Sequence, residues 1–289
     1  MPRTRLLYRL SGAVAASIVV FSLGACASPH VAAPVALSIP VAPGVLDGQD
    51  KSILVNGYST SYAWPDMLQD MLDDHAGGHR TYHVINSVIG GAPVESWVAD
   101  TGSRDYDRTI GALERDFLGP SPRLLGSVPL PTIAICQQSL QLTFDRRGPV
   151  KTESDMAGAE LGADAIQKLA QRLHVYGIDR IYIAMHIYKK PVEPEVGNER
   201  IALRRLLSRG IPYIYEGPDV WTPTRDTFPK SYGDDGLHPN EMGMKIMAES
   251  WYRTLAGRDA RDDVVRRMWN RNYDVDSMMH HYLAWRRGE

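Results

Sequence analysis

Ile53-Leu54-Val55-Asn56-Gly57-Tyr58-Ser59-Thr60-Ser61-Tyr62-Ala63-Trp64-Pro65-Asp66-Met67-Leu68 is the stretch on which the reading of this 289-residue chain turns. Ile53–Val55 is a short apolar run, which predicts a buried strand. Gly57 breaks it, and Pro65 suits the first turn of a following helix. Ser59 lies between the two. A serine at a strand-to-helix turn stands outside the carboxyl end of a sheet, where open α/β folds place their ligands. Whether it is a nucleophile or an ordinary turn serine depends on partners elsewhere in the chain.

Downstream, Trp64, Met67, Leu68, Met71 and Leu72 recur at helical spacing up to Gly77-Gly78. Tyr82–Ile85 reads as a second strand, followed by Asn86-Ser87-Val88-Ile89-Gly90-Gly91. A helix is predicted between Tyr106 and Phe117, a third strand over Ile133–Cys136, and a long helix from Ser154 to Tyr176. Arg180–Met185 is the fourth strand, Asn198–Ser208 a helix closed by Gly210, and Ile211–Tyr215 a fifth strand whose Pro212 suits an edge. A loop runs to His238, and a helix follows from Pro239 to about Leu255. Strands alternating with helices predict a parallel sheet covered on both faces.

The ends of the chain read differently. Arg3, Arg5 and Arg9 precede the uncharged apolar run Ala13–Leu23. That run is short for a membrane span, which takes roughly 20 residues, and reads as a secretory signal. Leu23-Gly24-Ala25-Cys26 resembles a bacterial lipobox, which implies residues 1–25 as a signal peptide and Cys26 as a lipidated N-terminus. Residues 26–50, rich in Ala, Pro, Val and Ser, read as a tether. Residues 51–256 then form one α/β domain, and 257–289 a helical C-terminal extension with an amphipathic, cationic tail. A formal net charge of −2 argues against a general nucleic-acid binder. With Cys26 lipidated, the one remaining cysteine, Cys136, has no disulfide partner and reads as a small buried hydrophobe.

The second chemical signal is Asp234-Asp235-Gly236-Leu237-His238-Pro239-Asn240. A serine hydroxyl is a weak nucleophile until a base takes its proton, and a histidine base needs a carboxylate to hold its tautomer. Asp235 and His238 on one tight loop meet both needs, with Asp234 a competing orienter; a capping aspartate beside a surface histidine is the plainer alternative. His186 after the fourth strand reads as structural or pocket-lining. His280-His281 lacks companion ligands at metal spacing, and no nucleotide-binding glycine loop is present, so no cofactor is expected.

Together, Gly57-Tyr58-Ser59 with Trp64-Pro65, then Asn86–Gly91, then Asp235-Gly236-Leu237-His238-Pro239 resemble, in order, three blocks of the SGNH (GDSL-type) hydrolases. The resemblance implies a three-layer α/β/α sandwich with a five-stranded parallel sheet of flavodoxin-like type. It implies Ser59 as nucleophile, His238 as general base and acid, Asp235 as its orienter, and the backbone N–H groups of Ser59 and Gly91 as oxyanion donors. Two departures stand out. Tyr58 replaces the family's aspartate, which supports the turn rather than reacting. Gln141 stands where the family's third block carries an oxyanion asparagine; its amide offers a longer donor, with Gln137 and Gln138 competing. The implied activity is a membrane-anchored, exported serine esterase acting on carboxylic, especially O-acetyl, esters of a polysaccharide or cell-envelope glycan. A lysophospholipase- or thioesterase-type acyl esterase is one alternative, and a catalytically weak accessory lipoprotein is another. Oligomeric state is not legible.

Overall fold

A five-stranded parallel sheet organises the molecule. The computed structural model describes residues 44–138, 156–188 and 193–287; Cys26 and Gln141 lie outside them. The strands are β1 (Lys51–Gly57), β2 (Tyr82–Asn86), β3 (Pro131–Gln137), β4 (Arg180–Ile183) and β5 (Ile214–Glu216). The helices, in chain order, are α1 (Trp64–His75), α2 (Val94–Trp97), α3 (Arg104–Arg108), α4 (Ile110–Leu113), α5 (Met156–Val175), α6 (Glu193–Ser208), α7 (Trp221–Asp226), α8 (Glu241–Ala256), α9 (Asp262–Asn270) and α10 (Val275–Arg287). Strand order β2-β1-β3-β4-β5 is that of the flavodoxin-like sheet, whose topological switch lies between β1 and β3.

Alternation along the strands divides the core in two. Leu54, Ala134, Cys136, Ile181 and Ile183 face one apolar cluster, closed by Ile166, Leu169 and Leu173 of α5 and Leu203 and Leu206 of α6. Ile53, Val55, Ile133, Ile135 and Tyr182 face the other, closed by Leu68 and Met71 of α1, Met247 and Trp251 of α8, and Val264 and Met268 of α9. The result is a three-layer α/β/α sandwich. Cys136 is fully buried in β3, and that burial pushes its thiol up to about 12.

Several predicted elements differ in detail. The single helix expected over 106–117 is broken at Thr109 (φ −110°, ψ −94°). The Thr109 hydroxyl bonds to the Ser96 and Asp105 carbonyls, and the chain continues through a π-turn at Glu114–Leu118. The fifth strand starts after Pro212, not at Ile211, and β5 does form a sheet edge. Helix α7 interrupts what reads as a continuous loop before His238.

Both flanks of the sequence-defined domain pack against it. Val45 and Leu46 are buried, and the Val45 N–H donates to Leu255 O at 2.8 Å. At Gly44 a Cβ would lie 2.1 Å from the Ala256 carbonyl oxygen, so packed chain begins ahead of Lys51. At the other end, Arg271 pairs with Asp70 and Asp74, and Arg267 with Asp74 and Asp263. Arg267 and Arg271 of the tail are therefore matched by carboxylates of α1 rather than left to solvent alone. Such partly exposed pairs are worth about 0–1 kcal/mol each, so the tail is held mainly by Val264, Met268 and Tyr282 in the core. The Tyr282 hydroxyl also donates to Val88 O. Tyr282→Phe should leave that buried carbonyl short of a donor and cost about 1–3 kcal/mol; equilibrium denaturation is the check, and an unchanged midpoint would contradict it.

Candidate functional site

Gly57 ends β1 because the turn beyond it has no room for a side chain: a Cβ there would lie 2.9 Å from Ser61 Oγ. Tyr58 is extended, and Ser59–Ser61 make one 3₁₀ turn, with Ser61 N–H donating to Tyr58 O at 2.8 Å. Helix α1 begins at Trp64-Pro65. Ser59 is thereby presented, half-buried, at the carboxyl end of β1.

The loop before α8 is closed on itself. Tyr232 bridges Pro239, Gly233 N–H donates to His238 O, and Gly236 turns at φ +62°. Asn240 locks the exit: its Nδ2 donates to Lys230 O and Tyr232 O, and its Oδ1 caps α8 at Gly243 N–H. Within the loop, Asp235 Oδ1 accepts the N–H groups of Leu237 and His238, both at 2.9 Å. Its Oδ2 lies 2.6 Å from His238 Nδ1. His238 Nε2 lies 2.9 Å from Ser59 Oγ. An ionised carboxylate only accepts, so Nδ1 carries the imidazole proton and Nε2 is the acceptor facing the hydroxyl. Asp234, the alternative orienter, makes no such contact among the described residues.

The third wall follows β2. Ser87 and Ile89 N–H groups donate to Val55 O and Gly57 O, stapling Asn86–Gly91 to the end of β1. Asn86 bonds to Tyr62 O and to Val88 N–H. At Gly90, a Cβ would meet Tyr62 Oη at 1.8 Å and lie 3.8 Å from Ser59 Cβ; Gly91 adopts φ +64°. Gly90 is thus beside the serine.

Across from it, Gln137 and Gln138 are both buried and committed elsewhere. Gln137 donates to Met185 O and accepts from Trp251 Nε1; Gln138 donates to Asn56 Oδ1 at 2.7 Å. They brace the ends of β1, β3 and β4. His186 is buried, stacks on Tyr58 at 5.2 Å and donates to Ile187 O, so its contacts are those of a packed histidine. His280 is exposed and bonded to Asp276 O. Among the described residues no group of three or more His, Cys, Asp or Glu is placed to hold a metal ion, and no helix is long and apolar enough to cross a membrane.

Ser59, His238 and Asp235 open into a cavity of about 800 Å³. Its apolar lining includes Met244, Val275 and Met279, and its carboxylates are Asp234, Asp235, Glu241, Asp274 and Asp276. Lys245 pairs with Glu241 at 2.8 Å. No Lys or Arg lines the cavity among the described residues. Sequence reasoning missed this wall, because nothing in the tail's composition says that residues 273–279 fold back over the serine. Tyr62 was legible only as a residue of the opening stretch.

Fold and side chains thus define a class: a parallel α/β sandwich with a Ser-His-Asp relay at its topological switch point. No family model and no curated protein matches the chain. Among solved structures it is similar to an α/β hydrolase from the metagenome of Lake Arreo, Spain, at 14% identity over 72% of this chain and 95% of that one, TM-score 0.47. It is similar also to a lipase from a goat rumen metagenome, at 12% identity over 73% and 100%, TM-score 0.49. A carbohydrate esterase with "divergent catalytic and non-catalytic binding functions" matches at 11% identity over 78% and 70%, TM-score 0.39. At such distances the chemistry of the site is read from its own side chains.

The hydrogen bond to His238, then the two backbone N–H groups, hold the Asp235 carboxyl down to about 2. A carboxylate whose folded value is depressed stabilises the native loop above its ordinary value of about 4, and that contribution is lost as pH falls towards 2. Asp235 should therefore stay charged at any pH well above 2. Carboxyl ¹³C NMR should give Asp235 a midpoint near 2; a midpoint near 4 would contradict the hydrogen-bonded arrangement.

Proposed function

We propose that the protein is an SGNH-type serine esterase. The observation that carries this reading is the unbroken relay from Asp235 through His238 to Ser59, formed by residues that match the family's blocks at the expected ends of the strands. Ser59 Oγ attacks the ester carbonyl carbon while His238 Nε2 takes the hydroxyl proton. Asp235 holds the resulting imidazolium without accepting its proton. Negative charge gathers on the former carbonyl oxygen, which the backbone N–H groups of Ser59 and Gly91 receive. Collapse expels the alcohol, protonated by His238, and leaves an acyl-serine. A water molecule, deprotonated by the same imidazole, then releases the acid and restores Ser59.

The cavity supports a choice among substrates. Asp234, Asp235, Asp274 and Asp276 around one cleft, with Glu241 offset by Lys245, raise its negative potential, which repels anionic ligands and tolerates neutral or cationic ones. That favours an O-acylated, uncharged glycan over a phospholipid or another phosphate-bearing acyl donor. The accessory, non-hydrolytic alternative rests on Gln141 standing where the resemblance asks for asparagine. A fluorophosphonate probe should label Ser59, and Ser59→Ala should abolish labelling and lower aryl-acetate turnover by roughly 10⁶-fold, the scale of nucleophile loss in comparable relays. Full activity in Ser59→Ala would remove the serine from the mechanism, and absence of labelling in the native protein would favour the accessory role. In a matched ester series, an anionic alcohol should lower kcat/KM roughly tenfold or more at low salt, with the gap closing near 1 M salt. A gap of opposite sign would favour a phosphate-bearing substrate.

We also propose that the protein is exported and held at a bacterial cell-envelope membrane through lipid on Cys26, on the strength of Leu23-Gly24-Ala25-Cys26. Two or more acyl chains give stable anchoring. Cys26→Ser should move the protein from the membrane to the soluble fraction of an expressing bacterium; unchanged membrane retention would refute the anchor.

A further inference from the structure

The peptide between Gly90 and Gly91 is gripped by a cation. Arg108, the last residue of α3, donates from Nη2 to the Gly90 carbonyl oxygen at 2.5 Å. The same nitrogen lies 3.8 Å from where a Gly91 Cβ would be. The preceding glycine is hemmed in too: a Cβ at Gly90 would lie 1.8 Å from Tyr62 Oη. Burial raises the Tyr62 phenol above its ordinary value. Tyr62 is itself fixed by its ring contact with Tyr282 at 5.6 Å.

Peptide geometry converts this grip into a direction. The Gly90–Gly91 bond is trans, the only cis bond among the described residues being Phe228-Pro229. In a trans peptide the C=O and the following N–H point to opposite sides of one rigid plane. A guanidinium on Gly90 O therefore sets the orientation of the Gly91 N–H. Among the described residues that N–H donates to no protein acceptor. Without a clamp, a Gly-Gly peptide turns easily, because neither residue restricts its backbone. The cation also polarises the peptide it touches, which makes the N–H a stronger donor.

We propose that Arg108 is a positioning residue for ester hydrolysis: by holding the Gly90 carbonyl it aims and polarises the Gly91 N–H at the oxyanion. This rests on the serine-esterase reading above. A donor that is already aimed contributes to catalysis because it needs no reorganisation when charge develops. Losing an oxyanion donor outright costs about 10²–10³ in kcat, and loosening one should cost less. Arg108 is exposed and takes part in no described salt bridge, so its removal need not disturb the core.

The test uses the full-length protein and an aryl acetate. Arg108→Ala should lower kcat roughly 10–100-fold, leave KM within about twofold, and slow fluorophosphonate labelling of Ser59 in parallel, since that reaction develops charge on the same oxygen. Arg108→Lys, which can still donate once to Gly90 O, should keep most of the rate, and added guanidinium should restore part of the Arg108→Ala loss. Wild-type kcat in Arg108→Ala, with the native protein active, overturns this proposal alone. A loss that appears in KM, or that follows a lowered Tm and resists guanidinium, makes Arg108 merely structural and also overturns it. A native protein that neither labels nor turns over overturns both this proposal and the esterase reading.

Discussion

Stacking of Trp64 on Trp251 is the contact on which the site depends. The two rings lie 6.1 Å apart at 11°, and both side chains are fully buried. Trp64 opens α1, immediately after the turn that carries Ser59; Trp251 lies in α8, whose first residue follows the loop that carries His238. Burying an aromatic ring of this size removes roughly 150–250 Å² from water, about 4–6 kcal/mol at ~25 cal/mol/Å² as an upper bound. Trp251 Nε1 then donates to Gln137 at the end of β3. One apolar contact therefore registers the ends of β1 and β3 with the loop before α8, and the 2.9 Å approach of residues 179 apart in sequence follows from it.

The two halves of the relay are built by different forces. Asp235 and His238 meet through a local turn, closed by backbone hydrogen bonds and needing no distant residue. Their side chains are about half exposed (52% and 44%), so water screens the pair and geometry, more than low dielectric, must do the orienting. Ser59 meets His238 only because α1 and α8 share one face of the sheet. The acidic cleft has a third origin: α9 and α10 return over the serine and add Asp274 and Asp276 to carboxylates already present on the loop and α8. The segment beyond residue 256, which reads as an appendage, is structurally a wall of the cavity.

What could be read in advance depended on the range of the interactions. The buried strands were legible because Ile53–Val55 and Ile133–Cys136 are continuous apolar runs, and the helices α1, α5 and α8 because their apolar residues recur at helical spacing. The helix over 106–117 differs because its apolar pattern is helical while the Thr109 hydroxyl bonds to the Ser96 carbonyl, 13 residues away, at the break, which periodicity does not register. In the sequence Gln137 and Gln138 compete with the aligned Gln141 as donors; only packing reveals that both amides brace buried groups. Arg108 carries no local signal at all, because its importance comes from the carbonyl it meets 18 residues upstream.

By itself the sequence determined the alternating α/β order, the turn that exposes Ser59, and the Asp235–His238 loop. Each of these is set by neighbours within a few residues, through apolar periodicity, glycine at tight turns and a carboxylate three positions from an imidazole. Tertiary structure alone decided that His238 reaches Ser59, that Arg108 grips the Gly90 peptide, and that the chain's last helices make the serine's cleft acidic. Those outcomes depend on burying apolar faces against one sheet, a constraint satisfied by the whole core at once and written in no single segment.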